Sequence, residues 1–74
     1  MITIHKDAPE GNAFAIIGTA KNLMKQLDFH KHESEAVIHE MMSGDYEHLV
    51  SVFNETFRYL AEVVGNDEDD YLYY

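Results

Sequence analysis

The sequence contains no cysteine, which removes a disulfide framework and a thiolate metal site together and leaves burial as the source of stability. It also lacks any long apolar run. No stretch approaches the roughly 18 consecutive apolar residues of a helical membrane span. The opening Met1-Ile2-Thr3-Ile4-His5-Lys6 has no apolar core of signal-peptide length, so a cytoplasmic location is expected. Asn54-Glu55-Thr56 has the form of a glycosylation acceptor, but it falls inside a predicted helix of a chain with no export signal and is read as chance. Basic side chains are scarce: 5 Lys and Arg stand against 14 Asp and Glu, a formal net charge of -9 at pH 7. Such a surface repels phosphate, which argues against direct nucleic-acid binding.

The charge is also polarised along the chain. Residues 1–32 carry Asp7, Glu10 and Asp28 against Lys6, Lys21, Lys25 and Lys31, three acids to four bases, or +1. Residues 33–74 carry 11 acids against Arg58 alone, or -10. The natural counterpart of that second half is a protein with a basic surface. At 74 residues the chain has room for one small core, and tolerance for damage to it should be low.

The pattern predicts a mainly α, compact three-helix domain over residues 1–65, preceded by a short β-strand and followed by an acidic, tyrosine-rich tail, 66–74. Ile2-Thr3-Ile4 alternates apolar and polar and is ended by the turn cluster Asp7-Ala8-Pro9-Glu10-Gly11. A lone strand needs a partner: the C-terminal segment Tyr71-Leu72-Tyr73-Tyr74, or the same strand of a second copy. Asn12 is suited to cap helix 1, which runs to about Leu27 with Ala13, Ile16, Ile17, Ala20, Leu23, Met24 and Leu27 as its apolar stripe. Gly18 within it suggests close approach of another helix, expected to be helix 3. Helix 2 covers Lys31 to Met42, with His30 and Ser34 as competing caps, and Ser43-Gly44-Asp45 ends it with a glycine for the left-handed position. Helix 3 is read from Tyr46 to Val64 on Leu49, Val52, Phe53, Phe57, Leu60 and Val64, closed by Gly65. Phe14, Phe29, Tyr46 and the helix 3 aromatics are assigned to the core.

A search for catalytic chemistry finds incomplete motifs. His39-Glu40-Met41-Met42-Ser43 opens like a His-Glu-x-x-His zinc helix, but Ser43 stands where the second imidazole belongs. Glu35 and His39 lie four apart and read as a surface contact before a metal pair. His30 and His32, two apart, should not face each other, and His5 and His48 have no evident partner. Gly18-Thr19-Ala20-Lys21 has the wrong order for a phosphate loop, and no serine sits in a Gly-x-Ser-x-Gly turn. No catalytic residue, cofactor or metal ligand is assigned, and the expectation is a protein that is not an enzyme.

Asp7-Ala8-Pro9-Glu10-Gly11-Asn12-Ala13-Phe14 and Ser43-Gly44-Asp45-Tyr46 resemble segments of small, acidic, uncharacterised proteins encoded by bacteriophages and prophages. The likeness spans most of residues 2–64. It implies a helical fold and expression inside an infected bacterial cell, and it carries no activity that can be transferred residue by residue. The tyrosine-rich end is less like that group.

The residues expected to meet a partner are Glu33, Glu40, Glu47, Glu55 and Glu62, with Asp67, Glu68, Asp69, Asp70, Tyr71 and Tyr73 of the tail, where charge steers and aromatics anchor. Three functions follow in order: an accessory factor docking on a basic protein surface, a DNA mimic occupying the groove of a nucleic-acid-binding protein, and a metal-binding protein using histidines. A homodimer is among the expected states.

Overall fold

Asn12 holds extended backbone angles and its side-chain oxygen accepts from Ala15 N at 2.8 Å, so the chain leaves the 3-10 turn Pro9–Gly11 and enters α1, Ala13–Gln26, at the expected place. The computed structural model describes residues 2–65, and the tail expected to follow lies outside them. Around α1 the order is β1 (Ile2–His5), the 3-10 turn, α1, α2 (Lys31–Met41), α3 (Tyr46–Thr56) and β2 (Ala61–Val64). The architecture is mainly α, three helices sharing one core with a two-stranded parallel sheet that packs against α3.

α1 ends without glycine. Asp28 takes the left-handed conformation at φ 60°, Phe29 N donates to Met24 O at 2.9 Å and Asp28 N to Lys25 O at 3.2 Å. These two bonds satisfy two of the last free carbonyls and return Phe29 toward the core. An aspartate in that conformation costs about 1 kcal/mol that glycine would not. Of the two caps proposed for α2, His30 is the one used: its Nδ1 accepts from His32 N at 3.2 Å while Glu33 Oε1 accepts from His30 N at 2.9 Å. Asp45 caps α3 through His48 N at 2.9 Å.

Several expectations fail here. α3 stops at Thr56 rather than continuing to Val64. Phe57 N donates to Phe53 O, and the Phe57 carbonyl then accepts from both Leu60 N and Ala61 N, closing a turn. The next four residues, Ala-Glu-Val-Val, bury Ala61 and Val63 and expose Glu62, a period of two that suits a strand. β1 pairs with this strand, in the register Ile2↔Ala61, Thr3↔Glu62, Ile4↔Val63, His5↔Val64. The segment Tyr71-Leu72-Tyr73-Tyr74 lies outside the described residues. A parallel pair needs a long connection, and the three helices supply it.

Gly18 is not a packing glycine: a Cβ there would meet nothing within 4 Å. α1 and α3 do touch, but through larger side chains of the shared core, Ile16, Ala20, Leu23 and Met24 against Leu49, Val50 and Phe53. The close approach occurs at Gly11, where a Cβ would collide with the His5 carbonyl oxygen and lie 2.7 Å from Lys6 Cα. Gly44 is not left-handed; what it provides is room, since a Cβ would sit 2.8 Å from the His48 ring. Phe14 is 85% exposed because the first turn of α1 points it away from the helix's core stripe, and Tyr59, at 80%, sits in the turn that ends α3. Leu27 and Leu60 are also exposed.

The core centres on Phe53 and Phe57, whose rings lie 4.9 Å apart, with Phe29 at 6.5 Å from Phe57. Asn54, outward of that pair, seals the outer edge of β2: Val63 N donates to its Oδ1 at 2.7 Å and its Nδ2 donates to Val63 O at 3.2 Å. One side chain thus stands in for a third strand. Phe53 is fully buried, so Phe53→Ala should cost about 3 to 5 kcal/mol, most of the stability of so small a domain. A thermal melt followed by circular dichroism should show the cooperative transition gone or greatly lowered. Asn54→Ala leaves the Val63 peptide groups without partners and should cost about 1 to 3 kcal/mol in urea titration. A loss below about 0.5 kcal/mol would show that the edge does not need its seal.

Candidate functional site

All five expected interface carboxylates within the described residues are exposed, and no charged group is buried. Glu33 and Glu40 sit seven apart on one face of α2, Glu47 and Glu55 on α3, and Glu62 on the outward face of β2. They do not form one cluster. Each of the first four has its own local partner, set by the element that carries it. Glu33 closes the cap of α2. Glu47, in the first turn of α3, faces Lys6 Nζ at 3.4 Å across to the end of β1. Glu55 lies 3.8 Å from Arg58, whose guanidinium also stacks 5.3 Å from the Tyr59 ring. Exposed pairs of this kind contribute about 0 to 1 kcal/mol, so they position charges more than they stabilise the fold. Asp67, Glu68, Asp69, Asp70, Tyr71 and Tyr73 lie outside the described residues.

Glu40 has the most developed environment. His48 Nε2 lies 3.0 Å from both the Glu40 carbonyl oxygen and Glu40 Oε2, and 3.3 Å from Ser43 Oγ. Two of those atoms can only accept, so Nε2 carries a hydrogen, and Ser43 Oγ, which donates to Glu40 O at 2.8 Å, is left to accept from it. The imidazole thereby ties the last turn of α2 to the first of α3, in the space that Gly44 leaves. The sequence reading assigned His48 no partner, because the pair is eight residues apart and meets only once the two helices fold back at Ser43-Gly44-Asp45.

His30 and His32 do face each other: their rings stack 5.3 Å apart and 19° from parallel. The rule against contacts two residues apart applies inside a helix, and His30, as the cap, has extended angles that swing its ring over the first turn. Among the described residues no group of three or more His, Asp or Glu is arranged to hold a metal ion. Glu35 and His39 line, with Lys21, Ser34 and Ile38, a depression of about 380 Å³ between α1 and α2. A second, about 360 Å³, is lined by Ser51, Asn54, Glu55 and Arg58. Their volumes reach the lower end of small-ligand sites, but both are wide open, so water screens any charge placed in them.

The acidic surface is fixed to the core at one further point. The Tyr46 hydroxyl donates to the Gly11 carbonyl, joining the start of α3 to the 3-10 turn, directly beside the Lys6–Glu47 pair. Burial pushes the Tyr46 phenol above its ordinary value of 10.0, with Lys6 opposing the shift and Glu47 adding to it.

No protein-family model matches this sequence, and neither a curated protein nor a solved structure shows significant similarity to it. Among the described residues no helix is long and apolar enough to cross a membrane.

The raised Tyr46 value gives a signed prediction. A phenol that is held neutral in the fold contributes stability that is fully present below pH 10.0 and is lost as pH rises through the higher folded value. Tyr46→Phe, lacking the hydrogen bond, should be about 1 kcal/mol less stable than the parent from neutral pH upward to about 10. Above that the gap should close. Urea midpoints of the two proteins across this range check it, since every other titrating group is common to both.

Proposed function

We propose that this chain is a non-enzymatic binding factor that docks on a basic surface of another protein through exposed carboxylates of α2, α3 and β2, together with the acidic segment that follows β2. The observation that supports this most is the placement of charge. Counted along residues 2–65 there are ten acids to five bases, or -5, and the remaining four acids are Asp67, Glu68, Asp69 and Asp70. All of the acids on α2 and α3 are exposed. The local partners of Glu33, Glu40, Glu47 and Glu55 do not remove this field. The cap contact of Glu33 is to a neutral backbone N–H, and in residues 33–74 Arg58 is the only Lys or Arg. Such a field raises the rate of encounter with a positive partner and orients it on approach.

The resemblance of Asp7 to Phe14 and of Ser43 to Tyr46 to phage and prophage proteins is what suggests a host-cell setting, with a bacterial protein as the docking partner. A homodimer would present this surface twice.

The reading is tested by capturing bacterial lysate proteins on the immobilised full chain at low and high salt, and identifying those retained. The parent is compared with two amide variants. One carries Glu33, Glu40, Glu47, Glu55 and Glu62 as Gln; the other carries Glu62→Gln with Asn or Gln at Asp67, Glu68, Asp69 and Asp70. A partner held through this surface should be released by salt, as screening shortens toward about 3 Å at 1 M, and should be depleted on a variant that still melts cooperatively. Partners retained equally by the parent and both folded variants would end the proposal. Displacement of the captured protein by duplex DNA would identify DNA mimicry as the mode of docking; indifference to DNA would leave plain surface complementarity.

A further inference from the structure

The two edges of the small sheet are treated very differently. In a parallel ladder successive residues direct their peptide groups alternately to one side and the other. Ile2 N donates to Leu60 O at 2.8 Å and Lys6 N to Val64 O at 2.9 Å, so Ile2, Ile4 and Lys6 face β2, and Thr3 and His5 face outward. On the outer edge of β2, Ala61 N is taken by the Phe57 carbonyl and Val63 by both atoms of the Asn54 amide. On the outer edge of β1 the His5 carbonyl accepts from Ala8 N at 3.1 Å. Among the described residues nothing bonds the Thr3 N–H, the Thr3 carbonyl or the His5 N–H, and both residues are exposed.

We infer that this edge is a self-pairing site, where β1 of a second copy adds antiparallel about a twofold axis at Thr3. The pairing is self-complementary: each Thr3 N–H donates to the other Thr3 carbonyl, using one free donor and one free acceptor per chain. The same register sets Ile2 opposite Ile4 of the second copy, on the face where Ile4 is buried and where Ile2 remains 48% exposed. Two parallel strands become a continuous four-stranded sheet, β2-β1-β1-β2, whose outer edges both carry the Asn54 seal. Charge selects a second copy as the occupant. A chain at -9 repels itself over most of its surface, but β1 belongs to the half that sums to +1, with Lys6 at its end. Ile2–His5 carries no carboxylate, and contact through this strand leaves Glu62 of each copy on the outer strand rather than in the seam. The inference does not rest on the docking function, and the test below reads no captured partner.

The experiment is sedimentation equilibrium of the full chain from about 10 μM to about 1 mM, spanning weak association, with amide exchange measured by NMR at both ends of the range. The expected result is a monomer–dimer equilibrium in which protection of the Thr3 amide rises with concentration, while that of the ladder-facing Ile4 amide is unchanged. Thr3→Pro removes the outward N–H. Thr3→Lys sets two like charges directly opposite each other at the axis. Each should weaken dimerisation at least about tenfold. Because Thr3 is exposed and makes no bond to β2, Thr3→Lys should keep the parent melt, and it decides the matter if Thr3→Pro fails to fold. A chain that stays monomeric at about 1 mM overturns the proposal. So does a Thr3 amide equally protected in the dilute monomer, which would mean that the chain covers its own edge. A dimer that persists in folded Thr3→Lys, or one that leaves Thr3 exchange unchanged, overturns it as well.

Discussion

The fold depends on the parallel pairing of Ile2–His5 with Ala61–Val64. It joins segments separated by three helices, and the loop entropy this costs has to be offset by what the pairing buries. It buries Ile4, Ala61 and Val63 against Phe53 and Phe57, which closes the side of the core that the three helices leave open. The turn after β1 can lie flat against that corner only because residue 11 has no side chain. A Cβ there would run into the backbone of His5 and Lys6. Tyr46 then fastens the same glycine's carbonyl to α3. Strand pairing, glycine and tyrosine form one connected constraint, so damage at Gly11 should reach the register of β1 and the seating of α3 together.

The helices were legible because their signals are local. Asn12, Asp45 and the Ser43-Gly44 break mark boundaries by the hydrogen bonds a short polar side chain can make, and the stripes of α1 and α3 repeat at helical spacing. β2 was misread because its residues satisfy two periods at once. Phe57, Leu60 and Val64 recur at three and four, which extends a helix, while Ala61 and Val63 recur at two, which makes a strand. Pairing with β1 decides between them, and no window of sequence contains it. Gly18 was misassigned for a related reason: a glycine in a helix draws attention, but whether anything approaches it is a tertiary fact. Asn54 was dismissed as a chance glycosylation triplet, since its bonds to Val63 span nine residues and exist only if the helix ends first.

Of the candidate surface, the sequence showed which residues carry charge and that they are solvated, but not what stands next to each. The Glu33 cap was foreseeable from its place three residues after His30. The Lys6–Glu47 and Glu40–His48 contacts were not, because they cross between elements. They matter for how the surface is held. His48 braces the α2–α3 corner that carries Glu40, and Lys6 braces the start of α3 that carries Glu47, so these carboxylates are presented from fixed points of the scaffold.

These contacts also decide how the charge asymmetry of the sequence survives folding. Lys6 and Arg58 are spent on Glu47 and Glu55, within or beside the acidic elements. Lys21, Lys25 and Lys31 are exposed on α1 and the first turn of α2, and make no ion pair with a described carboxylate. The polarity read along the chain is therefore kept in space: a lysine-bearing helix, and other elements on which acids predominate. A molecule with such a dipole meets a charged partner in a preferred orientation, and the orientation is lost as salt shortens the range of the field.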